Sequence, residues 1–537
     1  MSGIKQLLND IENAPSGSGV VAIFDFDGTI IAGYSATAFI REQLKRGDLS
    51  VTQLITLMRA MTNFGLGNMG FSGMMAVTAQ FMRGIEEEAY REVGRHLYTK
   101  QIARLIYPES RALVKAHQAK GHTVAIISSA TPYQVENAAA DLGIDHVLCT
   151  RLEVENGTFT GGVVSPACFG QGKVDAAESL ASQFRADLDN SFFYSDSTDD
   201  LLLLERVGHP RALNPSDRLE RIARGQQWPV TKFGSRGRPT LTQFIRSIAA
   251  TTSLITSFIA GLPVYALTGS RRESQNFSFS LFADTASALV GMDLDVTGEE
   301  HLWSHRPAVF VFNHQSKADV IIIAKLLRRD IAGVGKKEIK KETPVLGTIL
   351  ELGGLVFIDR ADGKSAINTM KPLIDVIRNE GKSVVIAPEG TRSVSPTMAS
   401  FKKGAFHLAM QAGVPIIPIV IYNSGDVAPK GDFVLRSATV KVEALPPVDT
   451  DQWSVETIDD HVREVRNMFA RALGQSEQTG LSALTNKTQQ KLKPKPKPKP
   501  KPKPKPKPKP KPKPKSKAKV KVKVKVKAVQ KQTVKKQ

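Results

Sequence analysis

Short apolar runs that close on polar residues recur along the chain. The first three are VVAIFDFDG (20–28), TVAIISSA (123–130) and SFFYSD (191–196). Between the last two lie helical patterns and CTRLEVENGTFTGGVV, whose Asn156-Gly157 pair predicts a hairpin turn. Residues 34–110, rich in Met, Ala and Leu, read as a helical insertion after the first strand. Strands alternating with helices predict a parallel, doubly wound sheet, with chemistry at the carboxyl ends of its strands. A second alternating series follows: PAVFVFN (307–313), IAGVGK (331–336), GLVFIDR (354–360), SVVIAPEG (383–390) and VPIIPIVIY (414–422). The chain is therefore expected to be α/β twice over, with units at 1–230 and 280–475.

The Pro/Gly/Arg-rich segment 228–239 reads as the break between them. An uncharged stretch runs from Ser247 to Ser270, within a segment 240–272 that is apolar and long enough to reach across a bilayer. Gly261 and Pro263 are expected to interrupt it, which favours an interfacial or re-entrant helix over a span. A helix hairpin packed on the second unit is the alternative.

Charge changes the picture only at one end. The formal net charge is +21, but residues 491–537 hold 22 lysines and no acidic residue, which leaves −1 for the rest. Residues 476–492 read as a polar linker. Lys-Pro then repeats from Lys493 to Pro514, and lysine alternates with valine beyond it. This composition predicts a disordered basic tail, extended and polyproline-like where proline fixes φ and the lysines repel. The near-neutral body argues against a nucleic-acid binder; an anionic membrane surface is the expected partner for the tail, with a solubilising extension of no further function as the alternative. Two cysteines, Cys149 and Cys168, cannot build a disulfide framework, so a reducing compartment is expected. The opening residues lack the charge and apolar pattern of a signal peptide.

Candidate chemistry clusters at the predicted strand ends. Asp25, Asp27 and Thr29 stand in DFDGT. Two carboxylates so spaced can divide labour, one attacking phosphorus and the other handling protons. Ser128 can donate to a phosphoryl oxygen, and Lys173 in GQGK can neutralise charge. Asp196 and Asp200 in SDSTDD add oxygen ligands suited to Mg²⁺. Taken in this order, the blocks resemble the haloacid dehalogenase superfamily of phosphatases, in its phosphoserine phosphatase-like subclass with a helical cap (34–110). The resemblance covers about 20–215. It implies a Rossmann-like domain with Asp25 as nucleophile, Asp27 as acid/base, Ser128 and Lys173 on the phosphate, and Asp25, Asp27, Asp196 and Asp200 holding Mg²⁺. The stretch DFDGTIIAGYS departs from the DxDST and cap glutamate of the phosphoserine enzymes, so the substrate is left as a small phosphomonoester. A catalytically inactive phosphatase-like scaffold is the alternative.

The second cluster is NHQSKAD (313–319). Five residues turn an ideal helix by about 500°, so His314 and Asp319 share no helix face. They meet only if His314 lies in a loop and Asp319 in the first turn of the helix that follows. Asp319 would then fix the imidazole, and His314 would act as general base on an alcohol. GLVFIDR ends on Arg360. APEGTRS (387–393) brings Glu389, Gly390 and Arg392 to a turn, where a guanidinium matches a phosphate. With VPIIPIVI, these blocks resemble the glycerolipid acyltransferases, specifically the 1-acylglycerol-3-phosphate acyltransferase family, over about 300–425. Ala387 stands where that family has Phe. The resemblance implies transfer of an acyl chain from acyl-CoA or acyl-carrier protein to the sn-2 hydroxyl of lysophosphatidic acid. His314 and Asp319 would be the catalytic pair, with Arg360, Glu389, Gly390 and Arg392 on the phosphate. Lysophospholipid and acyl thioester substrates place the chain on the cytoplasmic side of the cell membrane, peripherally or through one short segment. A binding protein driven by its tail, with vestigial domains, is the remaining class.

Overall fold

The computed structural model describes residues 2–478 apart from 48, 49, 238, 337–341, 343, 359–365 and 394–396. Arg360 and the Lys-Pro tail lie outside the described residues.

Eight strands form the first part of the chain: β1 (Val21–Phe24), β2 (Thr123–Ser128), β3 (His146–Cys149), β4 (Leu152–Glu155), β5 (Thr158–Val163), β6 (Phe192–Ser195), β7 (His209–Leu213) and β8 (Val230–Thr231). Six of them make a parallel sheet in the order β3-β2-β1-β6-β7-β8. All four residues of β1 are buried, as is every residue of β2 and β6, which explains why these three read as unbroken apolar runs. The remaining two strands pair as an antiparallel hairpin. Its turn is Asn156-Gly157, both with positive φ (49° and 74°), the conformation that a tight hairpin requires. Between β1 and β2 the insertion folds as helices Ser35–Arg46, Val51–Gly65, Phe71–Gln80 and Glu87–Leu97, with short turns after them. Segment 228–239 is not wholly a break, because β8 lies within it and closes the edge of the sheet on β7.

Seven further strands form a second sheet: β9 (Met292–Thr297), β10 (Val309–Phe312), β11 (Ile331–Lys336), β12 (Val356–Ile358), β13 (Ser383–Ile386), β14 (Ile416–Ile421) and β15 (Ala438–Ala444). The order is β12-β11-β13-β10-β14-β15-β9, parallel except between β14 and β15. Each sheet is therefore built outward from a central strand, β1 in one and β10 in the other. At those two strands the chain switches the side on which it adds neighbours, which opens a crevice at their carboxyl ends.

Nearly all of the uncharged stretch lies in one helix, Leu241–Thr268, which runs on through Gly261 and Pro263. By length and apolarity it could cross a membrane. It pairs with the next helix, Arg271–Val290, and this packing overrides the local cost of Gly and Pro. Its buried positions are small: Ser247, Ala250, Ser253, Ser257 and Gly261. Its exposed positions are large and apolar, among them Phe244, Ile245, Ile255, Ile259 and Leu262. A Cβ on Gly261 would stand 2.1 Å from Ser278 Oγ and 3.1 Å from the Ser274 carbonyl oxygen, and Ser274 Oγ donates to the Gly261 carbonyl at 2.7 Å. Close approach here needs glycine. Gly261→Val is expected to push the helices apart at a cost of about 1–3 kcal/mol. Gly261→Ala should cost less, because Ser278 can rotate away. Thermal unfolding of both variants checks the order.

Candidate active sites

The first site sits just past β1. Asp25 N–H still donates to the Tyr194 carbonyl of β6 at 2.9 Å, so the ladder holds the chain up to the first carboxylate. Lys173, buried in the first turn of helix Gln171–Phe184, bridges Asp25 Oδ1 (2.9 Å) and Asp200 Oδ1 (2.7 Å). Ser195 Oγ donates to the other Asp200 oxygen at 2.6 Å. Asp27 accepts from Ser35 twice, from N–H at 2.7 Å and from Oγ at 3.1 Å. Gln134 in turn donates to Ser35 Oγ at 3.1 Å. Ser128, fully buried at the end of β2, accepts from Ala130 N–H at 3.3 Å. Gly28 has φ 78°, and a Cβ there would fall 2.1 Å from Asp196 Oδ2, so the backbone of DFDGT lies directly against that carboxylate.

Four carboxylates around one ammonium set the electrostatics. Burial pushes Asp27 up to about 7, against the pull of Ser35 and with a further push from Asp25. Burial, Asp25 and Asp200 push Asp196 up to about 8. Asp25 is raised as well, mainly by burial, although Lys173 opposes it. Burial works against the charge on Lys173, but Asp200 and Asp25 outweigh it and hold the ammonium protonated. Among the described residues no group of three acidic, histidine or cysteine side chains is already gathered as a metal cage. The donor set is nonetheless all oxygen, and the burial and neighbouring carboxylates that raise Asp25 and Asp196 are penalties on negative charge of the kind a divalent cation relieves.

The second site follows β10. Asn313 locks onto β14, donating to the Ile421 carbonyl at 2.8 Å and accepting from Ile421 N–H at 2.7 Å. His314 then lies in a loop, and helix Asp319–Leu327 begins five residues later. The loop-then-helix geometry needed for a His–Asp pair is what forms. His314 Nδ1 is 2.7 Å from Asp319 Oδ2, and the same oxygen accepts from Gln315 N–H (2.9 Å) and Ser316 N–H (3.0 Å). Asp319 is wholly buried, whereas the imidazole keeps 24% of its surface. Ser316 Oγ donates to the Ala428 carbonyl at 2.6 Å and so pins the loop from below.

Glu389 is buried, and both of its oxygens are taken up by the backbone. Its two oxygens accept from His314 N–H (2.8 Å) and Ala399 N–H (2.9 Å). Burial raises its pKa against the pull of those two amides. Ser393 N–H donates to the His314 carbonyl at 2.7 Å, so the turn carrying Glu389, Gly390 and Arg392 clasps the histidine loop on both sides. Gly390 has φ 73° and packs under Lys402. Arg392 is half-buried beside this turn, and its carbonyl accepts from Lys430 Nζ at 2.6 Å. Sequence reasoning did not find Ser35, Gln134 or Lys430. Gln134 and Lys430 lie far along the chain from the groups they hold, and Ser35 opens a helix with no pattern that ties it to Asp27.

The sites define two classes of protein in one chain. Residues 22–205 match the family model described as haloacid dehalogenase-like hydrolase, and residues 293–422 match the one described as acyltransferase. The 1-acyl-sn-glycerol-3-phosphate acyltransferase of Limnanthes alba is 35% identical over 189 residues, 35% of this chain and 66% of the relative. That of Saccharomyces cerevisiae is 31% identical over 225 residues, 41% of this chain and 72% of the relative. The chain thus spans just under two thirds of the Limnanthes relative. A solved phospho-aspartyl intermediate analogue of phosphoserine phosphatase aligns at 17% identity, over 40% or so of this chain (41%) and 95% of that one, with a TM-score of 0.32. The chain belongs to the 1-acyl-sn-glycerol-3-phosphate acyltransferase family and carries a haloacid dehalogenase-like unit ahead of its acyltransferase region.

Glu389→Gln tests the clasp. It keeps the shape but turns an amide NH₂ toward one of two backbone N–H donors. The expected cost is about 1–3 kcal/mol, read as a lower melting temperature, and an unchanged melting temperature would remove the clasp role.

Proposed function

We propose that the chain is a two-activity enzyme of phospholipid synthesis. Its acyltransferase, within 280–475, moves an acyl chain from acyl-CoA or acyl-carrier protein to lysophosphatidic acid, giving phosphatidic acid. The observation that carries this reading is the 2.7 Å contact between His314 Nδ1 and Asp319 Oδ2, in a loop clasped by Glu389. Asp319 keeps the imidazole proton on Nδ1, so Nε2 offers its lone pair to the sn-2 hydroxyl. As the hydroxyl oxygen attacks the thioester carbonyl, Nε2 takes its proton. The carbon–sulfur bond then breaks, and the same proton passes to the leaving thiolate. Arg392 and Arg360 hold the phosphate, while Gly390 lets the backbone approach it. Glu389 serves as the brace of the loop rather than as a phosphate contact.

The first unit, within 1–230 with its cap at 34–110, would hydrolyse a small phosphomonoester. Asp25 attacks phosphorus, and the bond to the ester oxygen breaks as Asp27 protonates that oxygen. Water, deprotonated by Asp27, then cleaves the acyl phosphate on Asp25. An Asp27 carboxyl near 7 suits both roles. Lys173 and Ser128 hold the phosphoryl oxygens. Asp25, Asp27, Asp196 and Asp200 would hold Mg²⁺, which supplies charge neutralisation at the phosphoryl group. An inactive scaffold is the second reading, and the Asp200 contacts to Lys173 and Ser195 favour it. The two units are separable by mutation. His314→Ala is expected to lower acyl transfer by at least about 10²–10⁴ and to leave hydrolysis of p-nitrophenyl phosphate intact. Asp25→Asn should do the reverse. Hydrolysis that survives Asp25→Asn, or is absent from the unaltered chain, selects the scaffold reading.

Contact with the cytoplasmic face of a membrane is the remaining part of the proposal. The large apolar residues on the outer side of helix Leu241–Thr268 would enter the bilayer surface, within segment 240–272. The lysines of 476–537 would add attraction to anionic lipid, up to about 1 kcal/mol each near the surface. Ile259→Lys should weaken sedimentation with vesicles at any salt. Deleting 491–537 should weaken it only with anionic vesicles at low salt, and unchanged sedimentation there would discard the tail's role.

A further inference from the structure

Segment 424–436 connects β14 to β15 and is held from both halves of the chain. On the acyltransferase side, its Ala428 carbonyl accepts from Ser316, and its Lys430 donates to the Arg392 carbonyl. Lys317 Nζ donates to the Phe433 carbonyl and stands 4.7 Å above the ring of Phe433. On the other side, Arg236 donates to the Gly425 carbonyl at 3.1 Å and lies 3.6 Å from the Asp426 carboxylate. Arg104, in the short turn Ala103–Leu105 after the cap helices, lies against Gly431. A Cβ at Gly431, whose φ is 90°, would stand 2.7 Å from Arg104 Nη1. Lys100, in the adjoining turn Tyr98–Ile102, is close enough for its charge to act on Lys430, as does that of Arg392.

Five cations, Lys100, Arg104, Lys317, Arg392 and Lys430, therefore gather around one loop. That loop is one hydrogen bond from the turn that clasps His314. The nearby carboxylates are committed elsewhere. Glu389 faces Lys430 but spends both oxygens on backbone amides, and Asp432 faces Lys317 but accepts from Arg436 at 2.5 Å. Among the described residues none of the five forms an ion pair with a carboxylate. Burial and the neighbouring positive charges lower the pKa of Lys430, and burial and Arg392 do the same for Lys317. Unpaired like charges held this close favour a ligand with several negative oxygens, and forked or rotatable donors from separate elements suit phosphate.

We infer that the loop 424–436 and the turns at 98–105 form an anion site shared by the two halves of the chain, which takes a phosphate group of an acyl-transfer substrate. This rests on the acyltransferase reading above and adds to it residues of the phosphatase-like unit, Lys100 and Arg104. The phosphate comes either from the nucleotide part of an acyl-CoA donor or from the headgroup of the lysophosphatidic acid acceptor.

The test uses the full chain and the double variant Lys100→Glu/Arg104→Ala, which leaves His314, Asp319, Asp25 and Lys173 in place. Steady-state acyl transfer is measured twice, varying palmitoyl-CoA at fixed lysophosphatidic acid and then the reverse. The KM of one substrate is expected to rise about ten-fold with kcat nearly kept. The substrate affected names the source of the phosphate, a rise in both places both at the site, and a rise in neither overturns the inference. Titration calorimetry with inorganic pyrophosphate gives a readout independent of turnover. Binding by the unaltered chain should weaken about ten-fold in the variant, and equal affinities overturn the site. If the unaltered chain transfers no acyl group but shows this pyrophosphate difference, the acyltransferase reading fails and the anion site stands. Hydrolysis of p-nitrophenyl phosphate, expected unchanged, reports that the variant is folded.

Discussion

Both candidate sites depend on how a central parallel strand ends. β1 lies between β2 and β6, and β10 lies between β13 and β14, so in each sheet the chain diverges on either side of the strand's last residue. Backbone groups that leave a buried ladder must find partners elsewhere. After β1 the ladder itself extends by one bond, from Asp25 N–H to Tyr194. After β10 a side chain takes over, and Asn313 satisfies both main-chain groups of Ile421. These bonds decide where the chain turns out of the sheet, and so where the next reactive side chain points. Mispairing at either place would move the chemistry without touching a catalytic group.

The two sites hold buried carboxylates by opposite means. In the first, Lys173 lies between Asp25 and Asp200 and answers charge with charge. A cluster of that type remains responsive, since a change at one member alters the proton affinity of the others. In the second, Asp319 and Glu389 are held by amide N–H groups and by His314, with no lysine or arginine bound to them among the described residues. Amide donors carry no proton that is lost near neutral pH, so they fix geometry without adding a titration. The first arrangement suits a site that must accept and release a doubly charged group. The second holds the imidazole of His314 in one orientation.

Much of this architecture is legible in the chain. The fully buried strands β1, β2, β6, β10 and β14, and the nearly buried β13, appear as apolar runs, and the Asn-Gly turn marks its hairpin. Edge and half-exposed strands such as β3, β8, β9 and β15 do not stand out, because only part of each is apolar and pairing with a neighbour defines them. The loop-then-helix requirement for His314 and Asp319 follows from helix geometry alone and holds in the structure. The two backbone partners of Glu389 do not follow, since nothing in the residues beside it marks the amides of His314 and Ala399 as its donors. Ser35 and Gln134 are invisible for a similar reason: a hydroxyl that orients a carboxylate has no pattern of its own.

The hairpin of helices Leu241–Thr268 and Arg271–Val290 has a further consequence. The first helix turns serine, alanine and glycine to the second, with a hydroxyl-to-carbonyl bond at Gly261 and an aromatic pair, Phe258–Phe279, while other bulky residues face outward. Cohesion of that kind comes from close fit and hydrogen bonding and owes little to the exclusion of water between the helices. The pair is therefore a joint that is indifferent to its surroundings. Its fit does not change with what surrounds its outer face, and the sheet attached to it keeps one shape as well.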